Sequence, residues 1–248
     1  MSKVLLVGEQ AQSWKLEFKG ADYFGYAAFH QAGKVLVAAL RKEGHEVDWI
    51  QTCNVAVDFP EKLPEIAGYD AILLSDIGSN TFLFHPEMLG QGVRHPNRLA
   101  MLRDYVREGG GLAMIGGWMS FGGMDGRARY YCTPLADALP VICQPHDDRI
   151  ETPEGSVPTV ASDHPVIEGL PKEWPYFLGY NQVEPKLDAT VVMTFERDPL
   201  LVVGSYGKGK SAAFTTDCAP HWWPRPFLDW EGYSRLWSNL VTWLGGEA

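Results

Sequence analysis

The stretch LAMLRDYVREGGGLAMIGGWMSFGG, residues 99–123, decides the fold. Its first apolar residues recur at helical spacing, and the triple glycine Gly109–Gly111 then ends the predicted helix. The short apolar run Leu112–Ile115 follows as a buried strand. A helix that passes into a strand through so brief a turn is typical of a parallel sheet with helices on both faces.

The chain upstream shows the same alternation of strands and helices. Buried strands are predicted at Lys3–Val7, Glu46–Ile50 and Tyr69–Ser75. Apolar residues around Leu36 and Leu40 recur at helical spacing between the first two strands, and Gly44 ends that helix. We therefore predict an α/β protein with a mostly parallel sheet and helices on both faces.

The C-terminal part of the chain carries three apolar runs with short connections. These runs are Thr190–Phe195, Leu200–Gly204 and Ser211–Thr215. Such connections allow hairpins and exclude helical crossovers, so the runs are predicted to be antiparallel neighbours. An amphipathic helix follows over Tyr233–Leu244, with Asp229 as its predicted cap. We expect residues 1–248 to form one domain, with loops and short elements across residues 119–185.

The amino-acid composition limits which partners and which cellular location are expected for this protein. Lysine and arginine total 21 and aspartate and glutamate total 31, so the net charge is −10. This charge argues against nucleic-acid and membrane partners. No stretch resembles a signal peptide or a membrane span, and the four cysteines form no zinc-ligand spacing. We expect a soluble cytoplasmic protein with reduced thiols and a small-molecule ligand, and the aromatic surplus is compatible with a homo-oligomer.

Candidate site residues follow from the strand positions, because ligands of open parallel sheets bind beyond the carboxyl ends of the strands. Glu9 and Gln10 follow the first strand, and Asp76, Ser79 and Asn80 follow the third. If the run that ends at Thr215 is parallel to these strands, then Asp217, Cys218 and His221 lie at the same edge. The sequence therefore predicts a polar pocket at this edge of the sheet.

The turn after Ile115 places small residues, Gly116 and Ser120, on both sides of Trp118. This spacing is typical of a nucleophile elbow, in which small flanking residues let the central side chain project into the site. The other interpretation is a glycine-rich turn with a buried tryptophan. Phosphate-loop patterns are absent from the turn.

Motifs along nearly the whole chain resemble one family. They are Gly8-Glu9, residues 19–22, 44–47, 74–80, 116–123, 163–170 and 206–210, and Asp217-Cys218-Ala219-Pro220-His221-Trp222. Together they resemble the uncharacterised proteins called putative glutamine amidotransferases, which are similar to trehalose-utilisation proteins within the class I glutamine amidotransferase-like superfamily. The resemblance implies a flavodoxin-like sheet. A glutaminase of this superfamily needs a cysteine at the elbow, where this chain has Trp118, so glutaminase chemistry is not expected.

Three functional hypotheses remain open. The first is an enzyme that acts on a small polar, carbohydrate-related molecule, with Asp76, Asp217 and His221 as acid–base groups or metal ligands. The second is a non-catalytic ligand-binding or regulatory module on the same scaffold. The third is a cysteine hydrolase that uses Cys218. No metal signature and no cofactor motif is identified.

The predicted ligand-binding residues are Glu9, Ser79, Asn80, Trp118, Ser120 and Trp222. Of these, Trp118 and Trp222 could stack on sugar rings or serve only in packing. The run His146-Asp147-Asp148 contains metal-ligating residue types. Because adjacent residues rarely point at one ion, it is interpreted as a solvated surface turn.

Overall fold

The computed structural model describes residues 1–246. Its strands are β1 (Lys3–Gly8), β2 (Ala11–Lys19), β3 (Asp22–His30), β4 (Glu46–Ile50), β5 (Ala71–Ser75), β6 (Gly111–Ile115), β7 (Val141–Ile142), β8 (Arg149–Ser156), β9 (Thr159–Val160), β10 (Phe177–Asn181), β11 (Glu184–Pro185), β12 (Thr190–Phe195), β13 (Asp198–Tyr206) and β14 (Gly209–Phe214). Its α-helices are α1 (Lys34–Lys42), α2 (Thr52–Asp58), α3 (Leu63–Ile66), α4 (Ser79–Leu83), α5 (Pro86–Gln91), α6 (Arg98–Glu108), α7 (Arg225–Leu228) and α8 (Tyr233–Leu244).

The main sheet of the described residues has the strand order β4-β1-β5-β6-β14-β13-β12-β9. The first five strands in this order are parallel, and the last three are antiparallel to their neighbours. Numbered along the chain, the parallel strands follow the order 2-1-3-4-5, which is the flavodoxin order. The predicted α/β fold with antiparallel strands toward the C-terminus is confirmed.

Four of the five parallel strands are buried on both faces, and their side chains alternate between two hydrophobic cores; these strands are β1, β5, β6 and β14. In β1, Val4 and Leu6 pack into the core that contains α1 and α8, whereas Leu5 and Val7 pack into the core that contains α2 and α6. For this reason their sequences are continuous apolar runs and do not alternate between apolar and polar residues. Among residues 1–246, no helix is both long enough and apolar enough to cross a bilayer.

The helix of the opening stretch is confirmed at both ends. The Asn97 side chain accepts hydrogen bonds from the backbone N–H groups of Leu99 and Ala100, both at 3.1 Å, and so caps the start of α6. Gly109, with φ of 124°, ends it. The cap predicted for the last helix is wrong: Gly232 precedes α8, and Asp229 instead follows the last residue of α7.

Two segments differ from the sequence prediction. Strands β2 and β3 form a hairpin that was not predicted, and most of its residues are exposed. The middle of the chain contains the expected loops and short 3₁₀ helices, at Met124–Gly126, Tyr130–Cys132, Pro134–Asp137 and Pro165–Ile167. It also contains a longer antiparallel pair, β8 and β10, which packs beside the carboxyl edge of the main sheet.

Candidate functional site

A cleft of about 280 Å³ lies at the carboxyl edge of the parallel strands. Its lining includes Glu9 after β1, Asp76 after β5 and Asp217 after β14, together with Trp118 and His221. The strand order reverses between β1 and β5, and such a switch point is where open parallel sheets bind ligands. Because β14 is parallel to β6, the condition for placing Asp217 and His221 at this edge is met.

Two of the cleft carboxylates sit on strained backbone. Glu9 has φ of 53° and Asp76 has φ of 42°. Both values lie in the left-handed region, which residues other than glycine rarely adopt. The Glu9 N–H donates to the Ser75 carbonyl oxygen at 2.9 Å, which ties the ends of the two strands together. Strain of this kind costs about 1–3 kcal/mol per residue and concentrates at functional sites.

Burial and mutual repulsion favour protonated carboxyl groups in the cleft. The pKa of Glu9 is raised well above its usual value by burial first, and then by the negative charges of Asp217 and Asp76. The pKa of Asp217 is also well raised, by burial and by Asp76. The Ser75 hydroxyl donates a hydrogen bond to Glu9 Oε2, which partly offsets the shift there. Protons therefore stay on this group of carboxyls at pH values where isolated carboxyls have lost them.

Asp76 is the cleft carboxyl with the smallest rise in pKa. Burial raises its pKa, but less than those of Glu9 and Asp217, because a backbone hydrogen bond, and His221 when it is protonated, act in the opposite direction. The hydrogen bond comes from the Met119 N–H, which donates to Asp76 Oδ1 at 2.7 Å. Environments that separate the pKa values of neighbouring carboxyls allow one to donate a proton while another accepts one.

An imidazole and an indole also line the cleft. The rings of His221 and Trp118 meet edge to face, with centroids 4.4 Å apart. Burial lowers the pKa of His221, although Glu151 and Asp76 oppose this effect, so the ring is favoured in its neutral form near pH 7. His221 Nδ1 lies 3.8 Å from Asp217 Oδ2. Trp118 is 40% exposed, and the Arg149 guanidinium carbon lies 5.5 Å from the centre of its ring.

The turn that carries Trp118 depends on its two glycines. A Cβ on Gly116 would lie 2.2 Å from the Thr215 carbonyl oxygen, and one on Gly117 would lie 2.8 Å from Asp76 Oδ1. The Ser120 N–H donates a hydrogen bond to the Gly117 carbonyl oxygen at 3.4 Å, which closes the turn. The positive φ, 142°, falls on Gly117 rather than on Trp118, and an irregular loop follows instead of the helix of a nucleophile elbow. Trp118 nevertheless lines the cleft, as the spacing predicted.

Asp148 is a buried residue that holds this loop in place. Its carboxylate accepts hydrogen bonds from the N–H groups of Gly122 at 2.7 Å and Gly123 at 2.9 Å, and from Asn181 Nδ2 at 2.8 Å. Asn181 Oδ1 in turn accepts from the Gly117 N–H at 3.0 Å. The interpretation of residues 146–148 as a solvated turn is therefore wrong for Asp148, which is 2% exposed. No sequence pattern signals this role, because its partners are distant along the chain.

Four predicted ligand-binding residues do not line the cleft. Ser79 is buried at the start of α4, where its N–H donates to the Ala128 carbonyl oxygen, and Asn80 follows it in the same helix. Ser120 is buried and its hydroxyl donates to the Ile115 carbonyl oxygen. Trp222 is buried, and its Nε1–H donates to Glu151 Oε2 at 2.9 Å. These contacts indicate supporting roles behind the walls and do not support direct contact with a ligand.

Gln10, which was expected at this edge beside Glu9, also lines the cleft. Two other lining residues were not predicted: Ala11 follows Gln10, and His30 ends strand β3 of the hairpin. Ala11 and His30 are register partners at the base of the hairpin, so both reach the cleft. Because the hairpin itself was not predicted, its contribution to the site could not be seen from sequence.

Cys218 lies beneath the carboxyls and is fully buried. Its pKa is raised well above the usual value by burial and by the charges of Glu9 and Asp217, so its reactive thiolate is disfavoured. One ligand atom from each of these three residues lies within 4.8 Å of the others, so they could hold a cation. A bound cation would compete with the protons that burial now favours there.

Comparison with known proteins agrees with this architecture. The sequence profile of the family described as putative glutamine amidotransferase matches residues 3–246. Cytoplasmic protein STM3548 from Salmonella typhimurium has 42% sequence identity and a TM-score of 0.94, with 98% of this chain and 99% of that chain covered. Cytoplasmic protein STM1381 from Salmonella typhimurium LT2 has 39% identity and a TM-score of 0.93, with the same coverage.

More distant structures share the fold alone. A putative ThuA-like protein from Parabacteroides merdae has 11% identity and a TM-score of 0.55, with 98% of this chain and 90% of that chain covered. No curated protein matches the chain. Function must therefore be argued from the residues of the cleft.

Proposed function

Because the chain belongs to the putative glutamine amidotransferase family, we propose that it uses the switch-point cleft of this scaffold for proton transfer on a small, polyhydroxylated molecule related to a sugar. The observation that carries the proposal is the convergence of three buried carboxyl groups, Glu9, Asp76 and Asp217, with His221 and Trp118 around one cleft. Structural packing alone rarely gathers three carboxyls, since burying each one costs free energy.

Amidotransfer is not part of the proposal. That reaction needs a cysteine nucleophile, and the resemblance puts Trp118, which has no nucleophilic atom, in its place. Cys218 does not substitute for it, because the thiol is buried beneath two carboxyls that disfavour the thiolate.

Proton transfer follows from the unequal environments of the carboxyls. Glu9 and Asp217, with their strongly raised pKa values, are suited to donate a proton to a departing or developing oxygen anion. Asp76 and the neutral His221 are suited to accept one. In this scheme the substrate oxygen takes a proton from Glu9 or Asp217, while Asp76 or His221 removes a proton from carbon, hydroxyl or water.

A polyhydroxylated ligand fits the mixed character of the walls. The exposed part of the Trp118 indole offers an apolar face on which the C–H groups of a sugar ring can stack. The carboxyls of the cleft can accept hydrogen bonds from hydroxyl groups. A cytoplasmic location is supported by the names of the two Salmonella relatives.

Binding is tested by titrating neutral sugars, sugar alcohols and keto sugars while tryptophan fluorescence and thermal stability are measured. We expect one class to quench the fluorescence, and Trp118→Ala to weaken binding by about 0.5–1.5 kcal/mol. Phe84→Ala is the matched control, because Phe84 is 43% exposed and lies outside the cleft lining. If no member of the panel binds, or both variants bind like the wild type, the proposal fails.

Turnover is then followed by NMR with the sugar that binds. We expect wild-type protein to change the ligand or to exchange one of its C–H protons with solvent, and Asp76→Asn to abolish this while ligand binding persists. Binding with an unchanged ligand would instead assign a non-catalytic binding module, an alternative that is favoured by Trp118 in place of the nucleophile.

A further inference from the structure

The hairpin of β2 and β3 has one apolar face, and the large side chains of this face are mostly exposed. The two strands pair continuously from Ala11 with His30 at the base to Lys19 with Asp22 at the tip. Register partners share a face and successive residues alternate, so the pairing assigns every side chain to one of two faces. One face, here called the apolar hairpin face, consists of Gln12, Trp14, Leu16, Phe18, Tyr23, Gly25, Ala27 and Phe29.

The large side chains of the apolar hairpin face are all strongly exposed. Their exposed fractions lie between 51% and 73%, for Trp14, Leu16, Phe18, Tyr23 and Phe29. Gly25 leaves space for the Trp14 indole on this face, because a Cβ on Gly25 would lie 2.9 Å from that ring. The opposite face is mixed, with Lys15, Glu17, Lys19 and Asp22 beside Phe24 and Tyr26.

The exposed apolar area is of the size that a protein interface uses. Four aromatic side chains and one leucine at these exposures present on the order of 600 Å². That value is at the upper limit of the patches of roughly 300–600 Å² on monomeric proteins, and close to the roughly 800 Å² that each partner contributes to a standard interface. A two-stranded hairpin is also only marginally stable in water without a packed face. The hairpin is therefore expected to be covered.

We propose that the apolar hairpin face binds the same face of a second copy of this chain, so that two hairpins pack face to face about a two-fold axis. Such a contact is self-complementary and closes as a dimer. Two sheets packed this way interdigitate their side chains at a spacing of about 10 Å, which covers both apolar faces at once. The proposal does not depend on the proposed function of the cleft.

Charge favours a second copy over a membrane. The apolar hairpin face carries no charged residue, so two chains of net charge −10 can meet there without placing like charges in contact. The hairpin as a whole carries two lysines and two acidic residues, Lys15, Lys19, Glu17 and Asp22. It therefore lacks the basic excess that draws amphipathic segments to anionic lipid surfaces.

The contact would also brace the candidate site. Ala11 and His30 at the base of the hairpin line the cleft, and Ser13 Oγ lies 3.1 Å from His30 Nε2. A hairpin held by a second copy keeps these residues in one position, so dimer formation would set one wall of the cleft.

The test is the oligomeric state, measured by sedimentation equilibrium across micromolar concentrations. We expect a dimer for the wild type, and a dissociation constant raised roughly 30-fold or more by Phe18→Lys, which places a charge within the apolar contact. Phe24→Lys is the matched control, because Phe24 lies on the opposite face and is also exposed, at 47%. It should leave the dimer intact. Far-ultraviolet circular dichroism checks that both variants are folded.

A second measurement reads the geometry directly. Leu16 lies midway along the proposed contact, so Leu16→Cys should cross-link two chains under mild oxidation, whereas Lys15→Cys on the other face should not. A wild-type monomer at all concentrations overturns the proposal, as does a dimer that survives Phe18→Lys. A monomer that binds neutral phosphatidylcholine vesicles, and loses this binding in Phe18→Lys, would overturn it too and assign the face to a membrane.

Discussion

Replacement of Asp217 by asparagine tests the electrostatic state of the cleft. Asp217 is 3% exposed, and burial and Asp76 raise its pKa well above the usual value. Its Oδ1 accepts a hydrogen bond from the Ala219 N–H at 2.9 Å, which the Oδ1 of asparagine can keep. The variant therefore removes the ionisable group with little change in shape or hydrogen bonding.

The sign of the effect follows from proton linkage. A carboxyl whose folded pKa is raised contributes stability that is complete below its unfolded pKa, about 3.9 for aspartate, and that is lost as pH rises through the folded pKa. Above about pH 5 the unfolded chain has released this proton while folded Asp217 retains it. The free energy of unfolding of the wild type then falls by about 1.4 kcal/mol per pH unit for this group.

The asparagine variant lacks this loss, because it has no ionisable group at position 217. We therefore expect Asp217→Asn to gain about 1.4 kcal/mol of stability relative to the wild type for each pH unit above about 5, until the folded pKa is reached. At mildly alkaline pH the variant should be the more stable protein. His221 titrates in both proteins, so its contribution largely cancels in the difference.

The assay is urea unfolding at a series of pH values from 5 to 8.5, with the free energy obtained by linear extrapolation. Asp58→Asn is the control, because Asp58 is exposed and lies outside the cleft, and its curve should follow the wild type. Parallel curves for the wild type and Asp217→Asn over this range would show that Asp217 is ionised in the folded protein. The proton-donor role proposed for it would then be wrong.

Two further predictions concern the supports of the site. Asp148→Ala leaves the buried N–H groups of Gly122 and Gly123 without their acceptor, so we expect the free energy of unfolding in urea to fall by roughly 3–5 kcal/mol. Asp147→Ala, which removes a partly exposed ion pair with Arg149, should lower it by no more than about 1 kcal/mol. Equal losses in the two variants would contradict the buried role of Asp148. Iodoacetamide near neutral pH should modify the exposed thiols of the folded protein and spare the buried ones, as read by peptide mass spectrometry. The exposed thiols are Cys53 and Cys132, and the buried ones are Cys143 and Cys218. Rapid labelling of Cys218 before unfolding would restore the cysteine-hydrolase hypothesis.

The local spacing of apolar residues was sufficient to predict most of the fold. Strand β1 and helix α6 were predictable because apolar side chains must face a core. The spacing of apolar residues along the chain therefore indicates whether one or both faces of a strand or helix are covered. The flavodoxin-like order came from the resemblance and is confirmed by the strand pairing. The hairpin was missed although Trp14, Leu16 and Phe18 alternate with polar residues, because the Gly20 turn was recognised only as part of a family motif.

The sequence by itself determined which residues lie at the carboxyl ends of strands, and so it named Glu9, Asp76, Trp118, Asp217 and His221 as candidates. Only the tertiary structure decided that these five share a cleft, whose lining does not include Ser79, Asn80, Ser120 or Trp222. The physical reason is that strand position is a local property of the chain. The meeting of side chains depends on strand order, and their protonation depends on burial, and both arise only when distant segments pack together.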